Sequence, residues 1–372
     1  MKFTVARQDL QQELGLIQGV VEAKATIPIL SHVLVRAGRG GLELMATDLE
    51  IGLSTRCAAA IDAEGAAAIP AKKLHDVVRA LASSEVSFAV EPNHWLRVEG
   101  GSFKGRVVGL SAEDFPPQPT RQAKASVVRV PLSTFQEMVG RILFAVTTEN
   151  TRFSINGALL EVHPDRLVLV ATDGHRLAHV VRRIELPELE DTVTALVPRK
   201  ALAELARIRP SDENEEVAVS VDGNHVFCEA GPRTLFSRVL EGTFPNYERV
   251  IPADNTATGR VDRLALADVL ARVALLTSES THMVAFSFGR GGLNISTSNP
   301  AMGDAAEDLA MEWAGADVKI GLNYEYVLQF LQQARTDQVE VRLKDSSTQA
   351  LFLPVGEEGG TYQYVVMPMR LS

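Results

Sequence analysis

Two residues in the segment 172–176 have the types of an acid–base pair. Asp173 and His175 stand two positions apart, and side chains at that spacing on a β-strand point to one face. A carboxylate beside an imidazole could move a proton in a hydrolase. No nucleophile motif, glycine-framed serine or metal-ligand spacing accompanies the pair in the sequence. We therefore favour a packed histidine beside a turn and expect no catalytic residues, with a hydrolase using this pair as the rival class.

The other patterns that could carry chemistry are sparse. Cys57 and Cys228 have no CxxC or histidine partner pattern, which favours two reduced thiols in the cytoplasm over a disulfide or a zinc site. The GRGG stretches at Gly38 and Gly289 lack the GxxxxGK[ST] pattern of a phosphate loop and are typical of hairpin turns. We expect no metal, no ATP site and no cofactor.

Composition sets wider limits on the protein class. The chain has 372 residues, 46% of them hydrophobic and 23% charged, which is ordinary for a globular protein of two or three domains. No window approaches a membrane span, and the first residues lack a secretory pattern, so we expect no membrane partner. The net charge of −10 argues against nucleic-acid binding, unless basic residues gather on one surface.

The chain repeats one pattern three times. Residues 38–48 are GRGGLELMATD, residues 163–173 are HPDRLVLVATD, and residues 289–299 are GRGGLNISTSN. Their aligned leucines, Leu42, Leu167 and Leu293, stand 125 and 126 positions apart, which is one third of the chain. A period of this length corresponds to a complete domain and not to a solenoid repeat.

The flanks of the three copies agree as well. Each copy opens with a strand and a helix, and each has a later helix with apolar residues at helical spacing: IPAKKLHDVVRAL, VPRKALAELARI and IGLNYEYVLQFL. Alternating strands follow each later helix, and tight turns favour antiparallel pairing. We predict an α+β fold of three tandem domains, 1–122, 127–253 and 258–372, each with two helices packed on antiparallel sheets.

The motifs within these copies resemble one family. ATDGHRLA from Ala171, FPNYERVIP from Phe244, VPRK from Val197 and VVMPMRL from Val365 are its most specific pieces, and TDLE and LSAEDFP in the first copy also match. Over its whole length the chain resembles the β subunit of bacterial DNA polymerase III, the sliding clamp.

The resemblance implies a function without catalysis. Two chains would pair head to tail into a ring of six domains, with helices lining the hole and sheets forming the outer wall. The ring would encircle duplex DNA without reading sequence and would act as a processivity factor that tethers the replicative polymerase catalytic subunit and other replication and repair proteins. A separate ATP-driven clamp loader would open it. The alternative is an adaptor that binds peptides and does not encircle DNA.

The resemblance also implies a basic lining toward the DNA. The candidates are basic residues at helix starts and their flanks: Lys24, Lys72, Lys73, Arg79, Arg152, Arg199, Lys200 and Arg207. Any one of them could equally be a solvated surface charge. The third copy has Leu322 and Asn323 where the first two have KK and RK, so we expect an uneven lining.

Finally, the resemblance implies a pocket in the second and third domains that accepts short partner peptides with apolar anchors. Carried over, it comprises Ile155, Thr172, Gly174, His175, Arg176, Leu177, Pro245, Arg249, Val250, Asn323, Tyr326, Val365, Val366, Met367, Pro368, Met369, Arg370 and Leu371. Methionines and aliphatic residues suit an adaptable cleft, and its arginines could bond a peptide at the edge. Thr281 and Ser347 depart from the family pattern, which predicts a shallower or more polar floor. Leu275 and Leu276 are candidates for sealing the ring.

Overall fold

The computed structural model of the chain describes residues 1–22, 26–122, 126–149, 153–186, 189, 191–210, 212, 214–278 and 280–371. Within these residues, each copy contributes two α-helices and at least eight strands, in the predicted order of strand, helix, strands, helix, strands. The first copy comprises β1 (Lys2–Ala6), α1 (Arg7–Val20), β2 (His32–Gly38), β3 (Gly41–Thr47), β4 (Ile51–Cys57), β5 (Ala59–Ala63), β6 (Gly65–Pro70), α2 (Ala71–Ala80), β7 (Glu85–Val90), β8 (Leu96–Gly100) and β9 (Phe103–Val107).

The second and third copies repeat this order. The second comprises β10 (Val127–Pro131), α3 (Leu132–Leu143), β11 (Gly157–His163), β12 (Arg166–Thr172), β13 (Arg176–Arg183), β14 (Val193–Pro198), α4 (Arg199–Arg207), β15 (Glu216–Asp222), β16 (His225–Ala230) and β17 (Arg233–Arg238). The third comprises β18 (Ala257–Asp262), α5 (Arg263–Ala274), β19 (Met283–Gly289), β20 (Gly292–Asn299), β21 (Gly303–Leu309), β22 (Glu312–Ala314), β23 (Val318–Asn323), α6 (Tyr324–Gln333), β24 (Gln338–Leu343), β25 (Ala350–Pro354) and β26 (Gly360–Val366).

Local chemistry sets where two helices of the third copy begin. The Asp262 carboxylate accepts from the Ala265 N–H at 2.8 Å, and the Asn323 side chain accepts from the Glu325 N–H at 2.9 Å. Each cap satisfies a backbone donor that the first helical turn leaves without a partner. Strands β18 and β23 therefore end at these residues, and α5 and α6 start one position later.

By spatial contacts the chain divides into two compact units: Met1–Gln136 with Lys200–Val239, and Glu137–Arg199 with Leu240–Ser372. This division differs from the repeat because sheets run from one copy into the next. In the first unit, an eight-stranded sheet has the order β10-β15-β16-β17-β4-β3-β2-β6, and a five-stranded sheet has the order β5-β1-β7-β8-β9. Two strands from different copies, β4 and β17, join the halves of the larger sheet.

The second unit is built in the same way. Its nine-stranded sheet has the order β14-β11-β12-β13-β26-β25-β24-β18-β22, and its four-stranded sheet has the order β21-β20-β19-β23. Strands β13 and β26 join the second and third copies, with Leu177 opposite Val365. The pairs in both units are antiparallel, as the turns predicted.

The equivalent pair in the first unit is Gly52 opposite Phe236. A Cβ atom on Gly52 would lie 2.0 Å from the Phe236 ring, so glycine is needed where the second copy has Leu177.

None of the described helices is long and apolar enough to cross a membrane. Both cysteines are free; Cys228 is buried and Cys57 is half-buried.

Candidate functional site

A hydrophobic cluster in the second unit contains several predicted pocket residues. It is formed by Ile155, Val168, Val170, Leu177, Leu196, Phe244, Leu351 and Val365. Val250 is half-buried and packs against it. The structure thus brings together residues from β12, β13, β25 and β26 that are up to about 200 positions apart in the chain. An apolar floor of this kind is what a site for aliphatic and aromatic side chains requires.

The turn between β12 and β13 lies beside this cluster and contains Asp173 and His175. The Asp173 carboxylate accepts from the backbone N–H groups of His175 at 2.9 Å and Arg176 at 3.0 Å. Gly174 has φ +91°, a conformation that glycine adopts without strain. The expectation of a packed histidine is wrong, because His175 is exposed and lies in the turn itself. The carboxylate thus orders the turn.

Arg176 is 8% exposed, and its side chain supports the turn through hydrogen bonds. Its Nε donates to Asp173 Oδ2 at 2.9 Å, and its Nη groups donate to the Phe144 carbonyl at 2.5 Å and to the Gln329 side chain. The guanidinium also lies 4.1 Å from the centroid of the Tyr326 ring. Its donors are used within the chain, so Arg176 fixes the position of Tyr326 and the turn and does not offer an open charge at the edge.

The C-terminal segment leaves the sheet beside the same turn. Strand β26 ends at Val366, the Met367 N–H donates to the His175 carbonyl at 2.9 Å, and the Met369 N–H donates to the Gly321 carbonyl at 2.8 Å. Pro368 lies between them and has no N–H to donate. Met367, Pro368 and Met369 are half-buried, whereas Arg370 and Leu371 are exposed.

The remaining predicted pocket residues also lie in the second unit. Thr172 is buried, with its hydroxyl donating to the Arg176 carbonyl at 2.6 Å. Pro245 and Arg249 are exposed on the segment that follows Phe244. Thr281 and Ser347 are both exposed, and the Ser347 hydroxyl donates to Asp345 at 2.8 Å within its own turn.

The predicted ring-sealing leucines follow α5. Leu275 is 73% exposed and Leu276 is half-buried. An exposed leucine at this level stands out against the buried apolar face of the same helix, formed by Leu266, Val269, Leu270 and Val273. It marks a place where an unpartnered apolar surface meets solvent.

Seven of the eight predicted DNA-facing residues fall into three groups. Lys72, Lys73 and Arg79 are exposed on α2, and Arg199 is exposed at the start of α4. Lys200 is engaged within the first unit, since its Nζ donates to Asp48 Oδ2 at 2.5 Å and to the Val20 carbonyl at 3.0 Å. Lys24 and Arg152 lie outside the described residues.

A groove of about 1020 Å³ in the first unit brings Arg79 and Arg207 together. It is also lined by Arg7, Arg209, His75 and the side chains of Gln8, Gln11, Gln12 and Gln136. Sequence reasoning missed Arg7 and Arg209. Arg7 begins α1 and so had the same signal as the other candidates at helix starts, whereas only the fold places Arg209 in this groove. Among the described residues, no group of three or more His, Cys, Asp or Glu side chains could hold a metal ion.

The fold and this arrangement of sheets define a protein of three tandem clamp domains. Family models for the N-terminal, central and C-terminal domains of the DNA polymerase III beta subunit match residues 1–119, 129–246 and 248–370. The chain belongs to the DNA polymerase III beta subunit family, and its function is that of a DNA sliding clamp.

Individual relatives agree over the whole chain. It is 34% identical to the beta sliding clamp of Pseudomonas putida and 31% identical to that of Escherichia coli K12, each over 100% of both chains. Among solved structures, it matches the DNA polymerase III beta subunit of Pseudomonas aeruginosa bound to griselimycin, with 34% identity, full coverage of both chains and a TM-score of 0.93.

Proposed function

We propose that two copies of this chain pair head to tail into a six-domain ring that encircles duplex DNA. The ring tethers the replicative polymerase catalytic subunit and other replication and repair proteins, is opened by a clamp loader, and is not itself catalytic. It acts in the cytoplasm, where thiols such as Cys57 and Cys228 stay reduced.

One observation carries the proposal: two of the sheets each have an open edge strand, and the exposed side chains of these two strands have opposite charges. Strand β9 is an edge of the five-stranded sheet and β21 is an edge of the four-stranded sheet. The opposite edge of the four-stranded sheet, β23, is bridged by Met369, and the β6 edge of the eight-stranded sheet is bridged by Leu110. Among the described residues, no backbone pairing covers the outer side of β9 or β21. An open edge is a template for pairing with another chain.

The side chains of these two edges are complementary. Strand β9 has Lys104 and Arg106, whereas β21 has Asp304 and Asp308, all four exposed. Apolar residues accompany them: Phe103 is 41% exposed in β9, and Met302 is 49% exposed just before β21. Antiparallel addition of β9 from one copy to β21 of another would bury this apolar surface and pair the charges.

The hydrophobic cluster with its flanking turn and C-terminal segment supports the peptide-binding part of the proposal. All eighteen predicted pocket residues lie in one unit. They belong to β12, β13, β23, β26 and α6, the turn after β12, the C-terminal segment, and the segments that precede β11 and β18. The related Pseudomonas aeruginosa clamp binds griselimycin. We propose that this chain binds griselimycin and the C-terminal peptide of its own polymerase at the same place.

The dimer is tested by charge reversal at the open edges. The variant Lys104→Asp with Arg106→Asp places like charges against β21, which costs several kcal/mol of association free energy and should weaken dimerisation more than ten-fold. Light scattering over a dilution series should show the mass of the wild type near twice 40.3 kDa and a shift toward monomer in the variant.

The matched control adds Asp304→Lys and Asp308→Lys to the same chain. This second change restores opposite charge and should restore the dimer. The proposed pairing of β9 with β21 would be contradicted if the wild type were a monomer at micromolar concentration, or if the variant were as dimeric as the wild type. Loading onto a circular plasmid with loader and ATP then separates a clamp from an adaptor, because only a ring stays on the circle and slips off once the circle is cut.

A further inference from the structure

The segment Phe244–Ile251, here called the connector, packs against one face of the nine-stranded sheet. Phe244 is buried in the hydrophobic cluster, and Val250 and Ile251 pack against it from the other end of the connector. A groove of about 910 Å³ lies along the connector, lined in part by Glu161, His179 and Gln363. Tyr247, in the middle of the connector, packs against the same cluster and also has polar side chains within reach.

The Tyr247 hydroxyl makes the first of these polar contacts. It donates to Glu161 Oε2 at 3.2 Å, and that oxygen lies 3.2 Å from His163 Nε2. The other ring nitrogen of His163 lies 3.0 Å from the Thr192 hydroxyl. Burial, with Glu161 adding to it, raises the pKa of Tyr247 to about 12, so the phenol stays a donor at neutral pH.

The Tyr247 ring makes the second contact. It packs against the His179 ring at 5.3 Å between centroids, with the planes 35° apart. His179 Nδ1 lies 3.0 Å from Gln363 Oε1, and these two residues belong to β13 and β26. The Tyr247 side chain thus contacts two strands directly, β11 and β13, and His179 links it to a third, β26.

We infer that Tyr247 is a positioning residue for the peptide pocket, because it tethers the connector that holds Pro245, Arg249 and Val250. The inference rests on the proposed peptide-binding function. The Val250 N–H donates to the Tyr247 carbonyl at 3.0 Å, so the anchored residue and the pocket residue share one turn. A connector that opens leaves the pocket without one wall, and apparent affinity falls with the fraction of chains in which it is closed.

The test compares tethers of different strength in the full-length dimer. Griselimycin binding is measured by calorimetry for wild type, Tyr247→Phe, Tyr247→Ala and Lys344→Gln. Lys344 forms an exposed ion pair with Asp254 at 2.6 Å just beyond the connector and is the matched control. We expect roughly three-fold weaker binding for Y247F, at least about ten-fold for Y247A, and less than about two-fold for K344Q.

Hydrogen exchange of residues 244–251 is the second readout. Exchange should be faster in Y247A and unchanged in K344Q. If Tyr247 acts through Glu161, the double variant Y247F with Glu161→Ala should bind no more weakly than Glu161→Ala alone.

The outcomes separate the tether from the pocket. Wild-type affinity together with wild-type exchange in Y247A overturns the tether. A wild type that binds neither griselimycin nor the polymerase peptide overturns the proposed pocket, and faster exchange in Y247A still supports the tether. If Y247A does not fold, the Y247F and Glu161→Ala cycle decides, and additive effects there overturn the inference.

Discussion

At the scale of single residues, one backbone turn recurs with different side chains. In the first copy the Asp48 carboxylate accepts from the N–H groups of Glu50 at 2.9 Å and Ile51 at 2.8 Å, as Asp173 does in the second. Leu49 takes the place of Gly174 with φ +79°, which costs roughly 1 kcal/mol for a residue with a Cβ. The aspartate is thus part of the turn, and the fold does not need a histidine after it.

His179 gives a pH-dependent contribution to stability that a substitution can isolate. Burial lowers the pKa of its imidazole, with the Gln363 bond acting in the opposite direction. An unfolded chain binds the proton near pH 6.5, so stability is full above that pH and is lost as the pH falls toward the folded pKa. We expect the variant His179→Phe, which keeps a ring against Tyr247, to lose less unfolding free energy between pH 7.5 and 5 than wild type.

The contribution of His179 is measured by urea unfolding at several pH values. The quantity compared between the two proteins is the slope of unfolding free energy against pH, and not the absolute stability. His32 and His75 also have pKa values lowered by burial, so the variant should keep part of the dependence. Equal slopes for both proteins would show that His179 contributes nothing to it.

At the scale of secondary-structure elements, the C-terminal segment has few bonds to the rest of the second unit. Beyond β26, the backbone bonds of Met367 and Met369 hold it beside the turn at His175 and the edge of β23. We expect deletion of residues 367–372 to abolish binding of griselimycin and of the polymerase peptide and to leave the dimer mass unchanged, because β9 and β21 are untouched.

Titration calorimetry and light scattering on the deleted chain check both halves of this expectation. If the deleted chain kept its affinity for griselimycin and the polymerase peptide, the C-terminal segment would not be part of the proposed pocket. A loss of dimer mass would show that β23 and the sheet containing β21 depend on the segment.

The element order could be read from the sequence because it repeats, with helical and alternating apolar spacing in each copy. What could not be read depends on residues far apart in the chain. The bonds of Arg176 to Gln329 and of Lys200 to Asp48 join positions more than 150 apart, so neither residue could be recognised as already engaged. The contact of Tyr247 with Glu161 was missed for the same reason.

At the scale of the whole molecule, electrostatics decides how a chain of net charge −10 holds DNA. Lys72 and Lys73 are exposed on α2 while Leu74 and Val78 of the same helix are buried. We expect Lys72→Glu with Lys73→Glu to shorten the residence of the loaded clamp on circular DNA and to reduce its salt dependence by about two phosphate contacts.

The control for the lysines applies the same charge change elsewhere. Arg39→Glu with Arg290→Glu alters the turns after β2 and β19, and Arg39 is 98% exposed. Residence time is measured by fluorescence on plasmid circles over a salt series. Equal behaviour of the two double variants would mean that Lys72 and Lys73 do not face the duplex.

The pairing of β4 with β17 has a consequence for synthesis on the ribosome. Strand β4 begins at Ile51, but its partner begins only at Arg233. At about 5–20 residues per second, roughly 10–35 s of translation separate the two strands. During that time the nascent chain presents an apolar strand with a bare edge, and the first unit cannot complete its fold. Slow codons in this interval would therefore prolong the time during which β4 is unpaired and can misassemble. A chaperone that shields β4 on the nascent chain would matter more than one that acts after the chain leaves the ribosome.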